Sequence, residues 1–119
     1  MKLWIDDVRE APKGYLRVYL VEEAISEILR YEREADYAMM QYILGHWGYD
    51  RVKAHIDCFT FTEISCDNDL GEGNAEGYKL LDWLEATNRN YPIRIHSANS
   101  VARERMRTII RKNGWKEVM

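Results

Sequence analysis

The sequence predicts a single α/β domain on a mainly parallel sheet, and three observations predict it. Short apolar runs alternate along the chain with helix-length amphipathic stretches, the pattern of successive strand–helix–strand crossovers. Three of those runs, Leu3-Trp4-Ile5, Ile64-Ser65-Cys66 and Ile93-Arg94-Ile95, lead straight into polar residues, as strands of open α/β sheets do at their chemistry-bearing ends. The length of 119 residues, with 46% hydrophobic and 31% charged side chains, suits one core and is too short for two.

The first strand is expected over Lys2 to Ile5, stopped by Asp6-Asp7. Pro12 and Gly14 make Val8 to Gly14 a loop, too short to hold a crossover helix. Tyr15 to Val21 is rich in β-branched and aromatic residues and reads as the second strand. From Glu22 to about Tyr31, Ala24, Ile25, Ile28 and Leu29 recur at helical spacing. Beyond it, residues 32–62 form an enlarged segment with two readings for Ala35, Met39, Tyr42 and Ile43: the same helix continued, or a second one. Gly45 and Gly48 interrupt it, Asp50 is placed to cap a short helix through His55, and the alternation from Cys58 to Thr62 suggests a strand or the lead into one. Glu63 to Cys66 is a strand, Leu70 to Gly77 a glycine-rich loop, and Glu76 to Ala86 an amphipathic helix. Ile93 to Ile95 is the next strand. Ser100 to Lys112 is a basic helix with Val101, Met106, Ile109 and Ile110 as its stripe and Ser100 as its expected cap. Asn113-Gly114 ends it, and Trp115 to Met119 holds a short last strand.

The net charge of −3 argues against a dominant electrostatic grip on duplex nucleic acid, although a single phosphate needs only one or two local cations. The two cysteines, Cys58 and Cys66, are too few for a disulfide framework and are expected to be small buried hydrophobes. No apolar run approaches the roughly 20 residues of a membrane span, and Met1-Lys2 leads directly into a strand without a signal peptide, so the cytoplasm is the expected compartment.

The candidate site gathers at the strand ends. Asp6, Asp7, Asp67 and Asp69 place four carboxylates there, and like charges at close range need a divalent cation, a shared proton or a basic side chain to compensate. Such oxygen donors suit Mg²⁺ or Mn²⁺, and a carboxylate is also a potential nucleophile. His96 fits acid–base work near neutral pH. Arg9, Ser97, Asn99 and Arg103 are placed to bind phosphate oxygens. His46 and His55 lack ligand spacing. Trp47 and Tyr49 are either an exposed contact or, as is commoner for such side chains, buried. Arg107, Arg111, Lys112 and Lys116 read as a solvated face.

The order Leu3-Trp4-Ile5-Asp6-Asp7-Val8-Arg9, then Ile64-Ser65-Cys66-Asp67-Asn68-Asp69-Leu70-Gly71, then Ile95-His96-Ser97-Ala98-Asn99, resembles the cyclic-phosphate processing receiver-like domains, a divergent branch of response-regulator receivers. The resemblance covers about residues 2–31 and 63–112. It implies a receiver-like, flavodoxin-like three-layer sandwich, from which this chain departs in lacking the first crossover helix. It implies Asp6 and Asp7 as a metal-binding pair, Asp67 as the acceptor carboxylate and Ser97 as the switch hydroxyl. It further implies work on a cyclic phosphate, such as the 2′,3′-cyclic phosphate of a nucleotide or RNA end. The receiver's last-strand lysine has no clear counterpart; Lys116 is the nearest.

Three functions stand at this point. The first is a metal-assisted phosphoesterase, with Asp6, Asp7 and Asp67 on the ion, His96 as acid or base and Asp69 as its orienter or a further ligand. The second is a receiver-type module phosphorylated on Asp67. The third is a non-catalytic domain that binds a protein partner through residues 32–62.

Overall fold

The structure, a computed structural model, describes residues 1–119. Five strands, β1 (Lys2–Ile5), β2 (Tyr15–Val18), β3 (Glu63–Cys66), β4 (Ile93–Ile95) and β5 (Glu117–Val118), pair in the order β2-β1-β3-β4-β5. All four pairings are parallel, with Leu3 beside Leu16 and Ile64, and Ile64 beside Ile93. Four helices complete the chain: α1 (Val21–Ile43), α2 (Tyr49–Cys58), α3 (Tyr78–Ala86) and α4 (Ser100–Asn113).

Helix α1 begins after an extended Leu20 with Glu22 and Glu23 in its first turn, where carboxylates complement the helix dipole. No glycine or proline occurs between Glu22 and Leu44, so the open question about residues 32–43 resolves as one continuous helix about 34 Å long. Gly45, at φ 76°, turns the chain, and α2 returns beside α1. Asp50 lies in the first turn of α2, but Gly48 holds the cap position and no side chain bonds there. Of the two readings for Cys58 to Thr62, the strand is not formed and the segment instead leads into β3. Cys58 closes α2, Phe61 stacks on Tyr31 at 4.1 Å, and Thr62 donates its N–H to the Met1 carbonyl.

The crossovers from β2 to β3, β3 to β4 and β4 to β5 all step the same way across the sheet. Right-handed crossovers therefore put α1, α3 and α4 on one face. The core lies there: Leu3, Ile5, Val18, Ile64, Cys66 and Ile93 from the strands meet Ala24 and Ile28 of α1, Leu81 and Leu84 of α3, and Met106 and Ile110 of α4. Only the step from β1 to β2 runs backwards, and it carries the Asp6–Gly14 loop in place of a helix. The expected receiver-like α/β fold is present with its first helix missing, and the layer that helix belongs to is reduced to that loop.

The opposite sheet face is accordingly polar. Glu63 accepts hydrogen bonds from the Tyr15 hydroxyl and from Arg94 Nε, the latter at 3.0 Å, and Arg94 also reaches the Met119 carbonyl at 2.9 Å. Two expectations are corrected on burial. Cys58 is exposed while Cys66 is buried. Val101 sits outside the α4 stripe at 77% exposure, because the buried stripe runs through Ala102, Met106 and Ile110 and Val101 lies one residue, about 100°, off it. No helix is long and apolar enough to cross a membrane.

Glu32 pins the middle of α1 to the turn before β4. Its carboxylate takes Arg89 Nε and Nη2 at 3.0 and 2.7 Å and the Tyr91 hydroxyl at 2.7 Å. The Arg89 pairing, opposed by burial and helped by Tyr91, holds its pKa below the usual range. Glu32→Ala leaves both partners half-buried and unmatched, so it should cost about 1–3 kcal/mol, read as a lower denaturant midpoint at unchanged slope. An unchanged midpoint would show that the network does not anchor α1.

Candidate active site at the carboxyl ends of β1, β3 and β4

Each of the three central strands continues its hydrogen-bond ladder one residue past its end. The N–H of Asp6 bonds Val18 O, that of Asp67 bonds Ile5 O and that of His96 bonds Cys66 O, at 3.0–3.1 Å. Asp6, Asp67 and His96 thus lie in one row across the sheet edge, in line with Trp4, Ser65 and Arg94 two residues back.

One oxygen each of Asp6, Asp7 and Asp67 lies within 4.8 Å of the other two. Asp6 is fully buried. Its Oδ1 accepts the N–H groups of Val8 and Arg9, both at 2.9 Å, and its Oδ2 takes the ring of His96 at 3.1 Å. Burial alone would raise its pKa, but the two backbone donors and His96 outweigh it, and Asp6 sits below the usual carboxylate range. Asp67 goes the other way: burial raises it, the neighbouring charges of Asp6 and Asp69 add to the rise, and the Asn68 N–H and Arg9 only partly offset them. Two carboxylates in one cluster are therefore driven apart, one toward the ion and one toward the acid. Asp7 has the third kind of environment. Its Oδ1 is the one buried side-chain oxygen or nitrogen in the protein with no hydrogen-bond partner. A native orphan of this kind calls for a ligand that is a cation or a donor. The donor set is all carboxylate oxygen, which fits Mg²⁺ or Mn²⁺ and not a soft metal.

His96 does join the cluster, but both of its ring nitrogens are engaged. A carboxylate only accepts, so the proton sits on Nε2 facing Asp6, and Nδ1 accepts from the Ser65 hydroxyl at 2.8 Å. The ring lies flat on Trp4 at 3.9 Å. Burial depresses its pKa, Asp6 pulls against that and Arg9 adds to it, so the imidazole is neutral near pH 7. Ser65, His96 and Asp6 form a hydroxyl–imidazole–carboxylate chain, yet Ser65 is completely buried and serves to hold the ring. Cys66 is no nucleophile either, since burial pushes its thiol up.

The other expected residues divide. Arg9 Nη1 donates to the His96 carbonyl at 2.6 Å with the rest of its guanidinium at the surface, so it borders the cluster. Ser97 is buried beside His96, and its Oγ accepts the Asn99 N–H, which leaves its proton free to donate. Asn99, not Ser100, caps α4: its Oδ1 takes the N–H groups of Val101 and Ala102, so the side chain expected on phosphate is committed to the helix. Arg103 lies one turn into α4, half-buried, with no hydrogen bond or ion pair from its side chain. Asp69 does not orient His96, whose nitrogens are taken by Asp6 and Ser65. It is exposed on the far side of Asn68, which holds it at 3.4 Å. Lys116 precedes β5 and its carbonyl accepts from Ile93, which puts it toward the opposite end of the sheet from the carboxylates. His55 pairs with Glu34 and His46 with Gln41, both away from the site. Tyr49 is exposed and Trp47 partly so.

Sequence reasoning missed Ser65, Trp4 and Gly77. A polar residue amid Ile64 and Cys66 was the available sign for Ser65. Gly77 had none: its α-carbon lies so close to the Asp67 carbonyl that a Cβ would fall 1.9 Å from that oxygen.

A family model, the cyclic-phosphate processing receiver domain, matches residues 47–112. The chain belongs to that family. The match spans Asp67, His96 and Ser97 and begins inside the enlarged segment, so α2 lies within the family's extent although no counterpart for it was expected. Asp6 and Asp7 lie outside the matched stretch and join the family's residues through the β1–β3 pairing. No curated protein and no solved structure matches the chain.

Two predictions follow from this geometry. An unfolded His96 takes up a proton below its ordinary 6.5 while the folded one resists it, so the unfolded state binds more protons and stability falls as pH drops. His96→Gln should remove that part of the slope below pH 6.5, read from denaturant midpoints; a variant with the wild-type slope would show that His96 does not stay neutral. Gly77→Ala should cost at least about 2 kcal/mol, because backbone and not a flexible side chain must move. A variant with wild-type stability would mean that the Asp67 loop yields freely.

Proposed function

We propose that the protein is a phosphoesterase that opens a cyclic phosphate, such as the 2′,3′-cyclic phosphate of a nucleotide or RNA end, at a divalent-metal site. The observation that carries the reading is the unpartnered, buried oxygen of Asp7, a carboxylate that clusters with those of Asp6 and Asp67. The family's association with cyclic-phosphate processing supports the substrate class.

Asp6, Asp7 and Asp67 hold the ion, Mg²⁺ or Mn²⁺. When bound, such an ion supplies neutralising charge for the phosphate and lowers the pKa of water. His96 acts as a positioning residue: with Nε2–H on Asp6 and Nδ1 on Ser65, it fixes the Asp6 carboxylate ionised and aimed at the cluster. Asp67 takes the proton from the attacking water. The water oxygen bonds to phosphorus, the bond from phosphorus to one ribose oxygen breaks, and that oxygen takes a proton from solvent as Asp67 returns its own to solvent, giving a phosphomonoester. Arg9 and the free proton of Ser97 bind the phosphate oxygens. Arg103 reaches the same phosphate from α4, and Asp69 contributes only to the local charge. A receiver-type phosphoswitch draws less support, because Lys116, the nearest counterpart of a receiver's last-strand lysine, precedes β5 and lies toward the opposite end of the sheet from Asp67.

Turnover of 2′,3′-cyclic nucleotides and of a cyclic-phosphate-ended oligoribonucleotide should depend on Mg²⁺ or Mn²⁺ and fall by about 10²–10⁴-fold in Asp67→Asn. Absence of turnover with either ion, or turnover indifferent to Asp67→Asn, would overturn the reading. Labelling of Asp67 by a small phosphodonor would then favour the phosphoswitch.

A further inference from the structure

The last two turns of α1, Tyr37 to Ile43, are apolar except for Gln41, and α2 covers only one side of them. From Tyr37 to Trp47 there is no charged residue. Ala38 is buried against the hairpin, yet Tyr37, Met40, Ile43 and Leu44 are exposed, Ile43 to 70% and Leu44 to 56%. A helix that is apolar all round is normally buried. Beside it, Met39 and Tyr42 of α1 with Tyr49, Val52 and Ile56 of α2 line an open groove of about 250 Å³. The hairpin extends the molecule to 50 × 29 × 26 Å, with a radius of gyration of 15.5 Å. A compact chain of this length has about 13.5 Å.

We infer that this hairpin is the interface of a symmetric homodimer, in which the α1–α2 pairs of two copies of this chain form a four-helix bundle. Three features select a second copy. The first is area: the exposed surface of Tyr37, Met39, Met40, Tyr42, Ile43, Leu44 and Tyr49 comes to on the order of 800 Å², the share each partner gives to a stable interface of standard size. It also exceeds the largest apolar patch of an ordinary monomer, about 300–600 Å².

The second is self-complementarity. At 100° per residue, Tyr37, Met40 and Leu44 form a ridge on α1, Met39 and Tyr42 form the wall of the groove, and Ile43 lies between them. A two-fold axis near Ile43 places the ridge of each copy against the groove of the other, as an isologous contact requires.

The third is charge. Lys53 and Asp57 at the groove edge already pair at 3.0 Å, so two copies meet without like-charge repulsion. Residues 32–58 carry five carboxylates against three cations, the wrong balance for an anionic lipid surface. The interface stands on the hairpin, apart from the carboxylate cluster, so it does not depend on the proposed reaction.

The test is sedimentation equilibrium of the full chain from about 1 to 100 µM, with Ile43→Glu as the variant and a far-ultraviolet melt as the check on folding. Wild type should sediment at twice the chain mass of 14.1 kDa, and folded Ile43→Glu at that mass, with dissociation strengthened at least about 30-fold. Leu44→Lys serves if Ile43→Glu fails to fold. A monomeric wild type at 100 µM, or a dimer that both variants preserve, would overturn the inference. So would a monomer that floats with phosphatidylcholine–phosphatidylserine vesicles, which would assign the face to lipid.

Discussion

The parallel pairing of β1 with β3 is the constraint on which the rest of the site depends. It sets Ile5 beside Cys66 and so delivers Asp6, Asp7 and Asp67 to one edge with their oxygens within 4.8 Å. Three carboxylates that close repel, and the surrounding structure answers differently for each. Asp6 is matched by two backbone N–H groups and an imidazole, Asp67 shifts toward its neutral form, and Asp7 keeps an oxygen with no partner. Gly77 belongs to the same constraint, since only a residue without a Cβ lets the loop after β3 close against the Asp67 carbonyl. The cluster is costly without a compensating charge, and that cost is the ground for proposing a cation there.

Removing the helix between β1 and β2 has a second consequence. All three remaining crossovers run the same way, so the helices crowd one face and the other holds polar and aromatic side chains. Parallel sheets are usually covered on both sides. Here the open side is closed locally by contacts that also serve the site: Trp4 donates to the Arg9 carbonyl and stacks on His96, and Arg9 donates to the His96 carbonyl. The loop that replaces the helix thus carries the arginine proposed for phosphate, and its Arg9 carbonyl holds Trp4 of β1 over the imidazole.

The strand–helix rhythm, the three strand ends and the acidic set were legible because each rests on local pattern: apolar runs of strand length, and Asp at a point where a strand must stop. The continuous α1 was not settled by pattern, since apolar residues occur on every side of its second half and the periodicity blurs there. Of the two readings for Cys58 to Thr62, a strand or the lead into one, the second holds: the alternation is overridden by the tertiary contact of Phe61 with Tyr31, and the segment leads into β3. Partner choice within the site was the least legible. Whether His96 meets Asp69 or Asp6, and whether Asn99 meets phosphate or the α4 amides, depends on register across strands and on where a helix begins. Single residue types do not carry that information.

The central claim is that Asp6, Asp7 and Asp67 hold one divalent cation. Mn²⁺ added at a few per cent of the protein concentration, followed by amide NMR, tests it without relying on any substrate. The account predicts selective broadening of the amides of Asp6 to Val8, Asp67 to Asn68 and His96 to Ser97, reversed by excess Mg²⁺, with those of α2 unaffected. Uniform weak broadening, or broadening centred on the exposed Asp69–Glu76 loop, would contradict it.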